Sequence, residues 1–236
     1  MTTVESDGLV GALTLLDEPR RRRLYELIVA SDGPVGRDAA AAALGISREL
    51  AAFHLDRLVA GGLLDVEYRR LTGRQGPGAG RPAKLYRRAS RELSASYPPR
   101  EYGQAAELLA DAFERVGEPG RAIVADTARE RGREAGRAAR LGAGRRASRG
   151  QLRELLLQHL GEASFEPQVD TGDGTIRLRN CPYHALVAGH RELTCGMNLA
   201  WAEGLLEGLG ATGLVADLAP ADGYCCVAFR RSDRAP

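Results

Sequence analysis

The sequence predicts an α+β chain in three parts: a helical head closed by a β-hairpin (residues 1–92), a run of helices (93–160) and a smaller mixture of strands and helices (161–236). Three observations carry this. Apolar residues recur at helical spacing from Leu24 to Leu58 and switch to extended alternation after Leu63. Helical spacing then holds from Ala105 to Leu160, before strand signals return around a Thr171-Gly172-Asp173-Gly174 turn. The four cysteines, Cys181, Cys195, Cys225 and Cys226, all lie in the last quarter, so the first 180 residues contain none. Such asymmetry points to a metal or iron–sulfur site appended to something else.

The head begins at Asp17-Glu18-Pro19, where a proline in the first helical turn costs no hydrogen bond, and Leu24, Leu27 and Ile28 form one apolar stripe. Residues 37 to 44 (RDAAAAAL) predict a short second helix, ended by Gly45, which tolerates a left-handed turn. A third helix over 47–60 opens with Ser47 as its cap. Leu50, Leu55 and Leu58 repeat toward one face, leaving Ser47, Arg48, Ala51 or Ala52, His54 and Arg57 for the others. A small-residue patch flanked by arginine fits the floor of a DNA major groove.

Leu63, Leu64, Val66 and Tyr68, a glycine- and proline-rich loop, and then Lys84 to Arg88 predict a β-hairpin. Between 64 and 91 eight basic residues (Arg69, Arg70, Arg74, Arg81, Lys84, Arg87, Arg88, Arg91) face two acids, a local +6 suited to phosphate. The stretch ISRELAAFHLDRLVAGGLL followed by GRPAKLYRR resembles the winged helix-turn-helix of ArsR-type and SufR-like bacterial regulators over about residues 13 to 90. The resemblance implies a double-stranded DNA operator read by the 47–60 helix, with Arg81 at the wing tip. By role, Ser47, Arg48 and His54 belong to the reading helix; Arg57, Arg74, Arg81 and Lys84 suit the phosphate backbone.

Length and 44% hydrophobic content allow two separate cores. No apolar run reaches about 18 residues, and MTTVESDG lacks a basic signal region, so the expectation is a cytoplasmic chain without a membrane span. In that reducing compartment metal ligation explains four cysteines better than disulfides do. The net charge of +2 hides a division, +7 over residues 121–153 against −5 over 154–236. The middle, through Leu108, Leu109, Phe113, Val116, Ile123 and Leu152 to Leu160, reads as linker and homodimer scaffold; its arginine-rich stretch from 129 to 149 reads as a solvated helix face and loop.

In the last part a hairpin around residues 171–174 delivers Cys181, a short helix follows Pro182, and Leu193 to Leu209 form a longer helix with Cys195 near its start, where a thiolate is favoured. Val215 to Leu218 and Tyr224 to Phe229 supply two more strands. Alternation along a strand lets one of Cys225 and Cys226 reach a shared site, and Cys225 shares its face with Val227 and Phe229. The fourth ligand stays open between Cys226, His184, His190 and a non-protein group. This half, C-x13-C-x29-C-C, is also similar to SufR-like iron–sulfur regulators, departing from them in the adjacent Cys226 and in having no cysteine near Leu209. The resemblance implies a sensor domain holding an iron–sulfur cluster on Cys181, Cys195, Cys225 and Cys226, with redox state, iron or nitric oxide as input.

Four alternatives remain at this point: structural zinc, although paired CxxC knuckles are absent; buried structural cysteines with no metal, since free cysteine is a common small core residue; a small organic ligand beside Trp201 and Tyr224; and a vicinal-thiol redox enzyme on Cys225-Cys226. Enzymatic activity is not expected, because the chain has no CxxC, nucleophile elbow, phosphate loop or HExxH.

Overall fold

The computed structural model describes residues 11–70, 82–90, 100–142, 146–210 and 212–232, and the chain divides into two compact units, Met1–Arg100 and Glu101–Pro236. The fold is mixed α+β with two small antiparallel sheets. Among the described residues no helix is long and apolar enough to cross a membrane.

In the first unit, α1 (Pro19–Ala30) starts where Glu18 accepts hydrogen bonds from the Arg20 and Arg21 amides, satisfying two donors that the helix leaves free. A two-residue strand β1 (Val35–Gly36) leads into α2 (Arg37–Leu44), which ends on Gly45 at φ +64°, a conformation glycine adopts without a Cβ clash. Ser47 then caps α3 (Arg48–Ala60) by accepting from the Leu50 amide. Strands β2 (Leu64–Arg69) and β3 (Ala83–Arg88) pair antiparallel with Val66 opposite Tyr86, and β1 adds to the far side of β3. Leu24, Ile28, Leu55, Leu58, Leu64 and Tyr86 form the core between helices and sheet, each leucine contributing about 2 kcal/mol by leaving water.

The second unit begins with α4 (Tyr102–Val116), α5 (Glu118–Leu141) and α6 (Arg149–Glu162), the last capped reciprocally by Ser148 and Gln151. Strands β4 (Pro167–Val169) and β5 (Ile176–Leu178), short helix α7 (His184–Val187), long helix α8 (Arg191–Leu209) and strands β6 (Leu214–Leu218) and β7 (Val227–Arg231) complete it. The sheet order is β4-β5-β7-β6, so the last strand inserts at the centre, with Phe229 beside both Ile176 and Ala216. Helices read from the sequence as a linker and scaffold thus share one compact unit with the cysteine-bearing part.

The reason is the contact between α5 and α8. Gly132 and Gly136 on α5 meet Gly204 and Gly208 on α8, and an added Cβ on Gly132 would lie 2.1 Å from the Trp201 carbonyl oxygen, one on Gly204 2.0 Å from that of Arg129. Contacts advance together along both chains, so the helices run parallel with their backbones touching, an approach open only to residues without a Cβ. Arg129 reaches Glu203 and Glu207, Arg133 pairs with Glu207, and the Arg140 guanidinium donates to the Leu209 carbonyl at the end of α8. The basic 121–153 segment and the acidic segment after it therefore partly neutralise each other within one unit.

Substituting Gly204 by Val should separate the helices and lower stability by about 3 kcal/mol or more, as overpacking does. Gly196 on the same helix has open space around it, so Gly196→Ala should raise stability by about 0.5–1 kcal/mol. Urea unfolding of the two variants checks both, and equal midpoints would contradict the contact.

Candidate functional site

The four cysteines come from three separated segments and lie together, Cys181 and Cys226 against Cys225 and Cys195 against Cys226. Cys181 follows β5 at the turn into α7, where its carbonyl accepts from the His184 amide. Cys195 lies on α8, one residue past the first turn, so the free amides of the helix start do not serve it as the sequence suggested. Cys225 and Cys226 stand just before β7 instead of inside it, with the Cys225 amide donating to Leu178 and the Cys226 carbonyl accepting from Ala219. Strand alternation does not govern this irregular backbone, and so both thiols of the pair join the cluster. Cys195 and Cys225 are buried, Cys181 and Cys226 partly so.

Within the cluster the Cys225 sulfur is the acceptor. It receives hydrogen bonds from Cys181, Cys226 and the Val227 amide, which hold its pKa below the ordinary thiol range against the opposing effect of burial. The Cys181 thiol is pushed up by its bond to Cys225 and then by burial; Cys226, within reach of both Cys225 and Cys195, shifts the same way. Among the described residues no three His, Cys, Asp or Glu side chains are spaced as ligands around a metal ion. The thiols instead lie against one another in hydrogen-bond contact. The four sulfurs are soft donors set in a largely apolar wall. Phe165, stacked on Trp201 at 5.3 Å and edge-on to Tyr183, builds that wall together with Val227 and Leu178.

Neither histidine weighed as a fourth ligand joins the thiols. His184 is exposed, and His190, just before α8, is buried with Nδ1 2.9 Å from Glu114 of α4. One residue the sequence reading missed is Asn198, a turn beyond Cys195 and 1% exposed, whose Nδ2 donates to the Cys225 sulfur at 3.2 Å. Its Oδ1 is buried without a partner, a cost of about 1–3 kcal/mol. The signal was present as an amide in an otherwise apolar stretch of helix.

In the first unit the basic residues separate into two groups. Arg57 is exposed over the ring of Phe53, itself 52% exposed, and Arg48 is exposed in an ion pair with Asp38 at 2.7 Å that solvent makes worth about 1 kcal/mol or less. Ser47 is exposed with its hydroxyl oxygen engaged as the cap. Lys84, expected at the phosphate backbone, has its ammonium 2.7 Å from Asp56, which also accepts from Arg37 and the Tyr86 hydroxyl, tying α2, α3 and β3 together. This network raises the Tyr86 pKa to about 12, first through burial and then through Asp56. Arg74 and Arg81 lie outside the described residues.

His54 is a correction. It turns into the core beside Leu55, with Nδ1 3.5 Å from the Glu18 carboxylate, too long for a good hydrogen bond. The physical reason is its position three residues after buried Ala51 and four before Leu58, which places it on the core face of α3.

Comparison of the chain with family models, with curated proteins and with solved structures gives no match.

The His54 environment yields a pH dependence. Burial first, and Arg21, Arg20 and Arg57 next, lower its pKa, while Glu18 opposes them. The folded state thus binds this proton less readily than the unfolded chain, whose value is near 6.5, so His54 contributes stability above pH 6.5 that is lost as pH falls through the lower folded value. Melting of wild type should drop as the pH falls below about 6.5, and His54→Leu should flatten that drop; identical pH profiles would refute the assignment.

Proposed function

We propose that this chain is a homodimeric DNA-binding transcriptional regulator in which the first unit is a winged helix-turn-helix and the second holds an iron–sulfur cluster that controls DNA affinity. The observation that carries the reading is the chain of four thiols drawn from three separated segments, Cys181 and Cys226 in contact with the buried Cys225 sulfur and Cys195 in contact with Cys226. Cys181, Cys195, Cys225 and Cys226 are the residues proposed to hold the cluster. When bound, it supplies an electron-accepting centre sensitive to oxidants, iron supply and nitric oxide. The chain's own part is to keep the sulfurs partly shielded from water and to link their positions to α8.

From α8 the link runs two ways. The glycine contact joins it to α5, and the His190 bond joins its start to Glu114 on α4, the first helix after the DNA-binding unit in sequence. A shift of α8 of an ångström or so cannot be absorbed where backbones already touch, so it passes to α4 and α5. Leu108, Leu109, Val116 and Ile123 on these helices are more than half exposed and favour their use as the face against a second copy. Two copies moving apart or together would change the spacing of their α3 helices on an operator with two half-sites.

On DNA, α3 is the reading helix, presenting Ser47, Arg48 and Arg57 with Phe53, and the hairpin arginines Arg69, Arg87 and Arg88 are exposed for the backbone. Lys84 serves as a brace that sets the hairpin against α3.

Protein purified without oxygen should contain iron and acid-labile sulfide and absorb visible light, and Cys181→Ser or Cys195→Ser should remove all three while the first unit stays folded. A colourless wild type without iron or sulfide would overturn the sensor reading. For DNA, Arg57→Ala should weaken binding to every sequence and reduce the slope of log affinity against log salt by about one, as loss of a phosphate contact does. Anisotropy titrations over a salt series check this, and an unchanged slope would remove Arg57 from the interface.

A further inference from the structure

The arginines of the second unit fall into two groups. On α5, Arg121, Arg129, Arg131, Arg133 and Arg137 each stand against a glutamate. Arg149 and Arg153 on α6 and Arg231 at the end of β7 have no carboxylate at ion-pair distance among the described residues, and the fold nonetheless gathers them. Arg153 donates from Nη2 to the Gly174 carbonyl at 2.7 Å, and its Nη1 stands 3.7 Å from where a Cβ on Gly174 would lie. Arg231 reaches the same point from the sheet, with Nε at 3.5 Å and Nη2 at 3.6 Å. Arg149, one turn before Arg153 and on the same side of α6, lies along Gly213, whose neighbour Leu214 pairs with Arg231. The result is a row of three cations running from the Gly213 turn to the Gly174 turn.

Like charges held this close repel one another. The carboxylates of the adjoining turn do not relieve the repulsion, because Asp170 accepts from the Gly172 and Asp173 amides and Asp173 from the Thr175 amide. Gly174 and Gly213 lie at φ +74° and +71°, where a side chain would be strained, so no Cβ crowds the guanidiniums. We infer that Arg149, Arg153 and Arg231 form a binding site for a small phosphorylated anion. Guanidinium forks match phosphoryl oxygens in pairs, and a dianion among the three removes their mutual repulsion. The surroundings select a small ligand over a nucleic acid. Residues 154–236 carry a net −5, with Asp170 and Asp173 in the turn and Glu154 next to Arg153 in sequence, so a long polyanion is repelled on either side of the row, whereas a small one meets only arginine. The site involves neither the thiols nor the first unit.

Pyrophosphate titrated calorimetrically into the full chain at fixed ionic strength should bind at one site and raise the melting temperature. Arg149→Gln and Arg231→Gln, both at exposed positions, should each weaken that binding by about tenfold or more, as loss of a charge-assisted contact does. Arg153→Gln should do the same, and the two exposed variants carry the test even if it unsettles the Gly174 turn. Arg121→Gln, which breaks an ion pair with Glu118 outside the row, should bind as wild type does. Wild type that gives neither heat nor a melting shift overturns the inference. Arg149 and Arg231 variants that bind like wild type also overturn it, and so does an Arg121 variant that weakens as much as they do, since the attraction would then be diffuse. If the same variants weaken binding to duplex DNA and leave pyrophosphate untouched, the row serves the DNA backbone and the small-ligand site is overturned.

Discussion

The contact between α5 and α8 is made by backbone, not by side chains, and the position of every group on α8 follows from it. Gly132 and Gly136 stand against Gly204 and Gly208 so closely that no Cβ fits. Side-chain interfaces can slide by changing rotamers; a backbone interface cannot. Cys195 and Asn198 are carried on the helix so fixed, and the Cys225 segment reaches them from the sheet, where the Cys225 amide is fastened to Leu178 at the end of β5. The thiol cluster is thus held between one rigid helix pair and the ends of the two central strands of the sheet.

A second constraint operates in the first unit. Asp56 on α3 accepts from Arg37 of α2 and from Lys84 and Tyr86 of β3, and so fixes the hairpin in a set relation to α3. Its pKa is lowered despite the opposing effect of burial, because the donors from Lys84, Tyr86 and Arg37 together outweigh the loss of water. Charge here serves shape. Arg48, paired with Asp38, and Arg57, over the Phe53 ring, stay exposed, while Lys84, equally basic in the sequence, is engaged in the brace.

Much of the local structure was legible because it depends on residues close together in the chain. The starts of α1 at Pro19 and α3 at Ser47, the turn at Gly45, the hairpin strands and the ββααββ order of the last part all follow from caps, turn residues and periodicity. His54 misled because one histidine among apolar neighbours gives no sign of which face it takes when leucine spacing alone defines the stripe; Ala51, too small to weigh, marks the core face as surely as Leu55 does. Cys226 stayed open in the sequence because alternation applies only within a strand, and β7 begins one residue later.

By itself the sequence determined the helices, the two hairpins, the confinement of cysteine to the last quarter and the basic character of the hairpin, since each is a matter of residue type and short spacing. Only the tertiary structure decided that Cys226 joins Cys225, that Asn198 turns its amide to the sulfur, that Lys84 belongs to Asp56, and that the +7 and −5 segments share one unit. These outcomes depend on which distant backbones come close enough to exclude water and satisfy one another's polar groups, and spacing along the chain does not encode that. The glycines at 132, 136, 204 and 208 are the bridge between the two levels, a four-residue spacing visible in the sequence whose meaning appears only when the two helices meet.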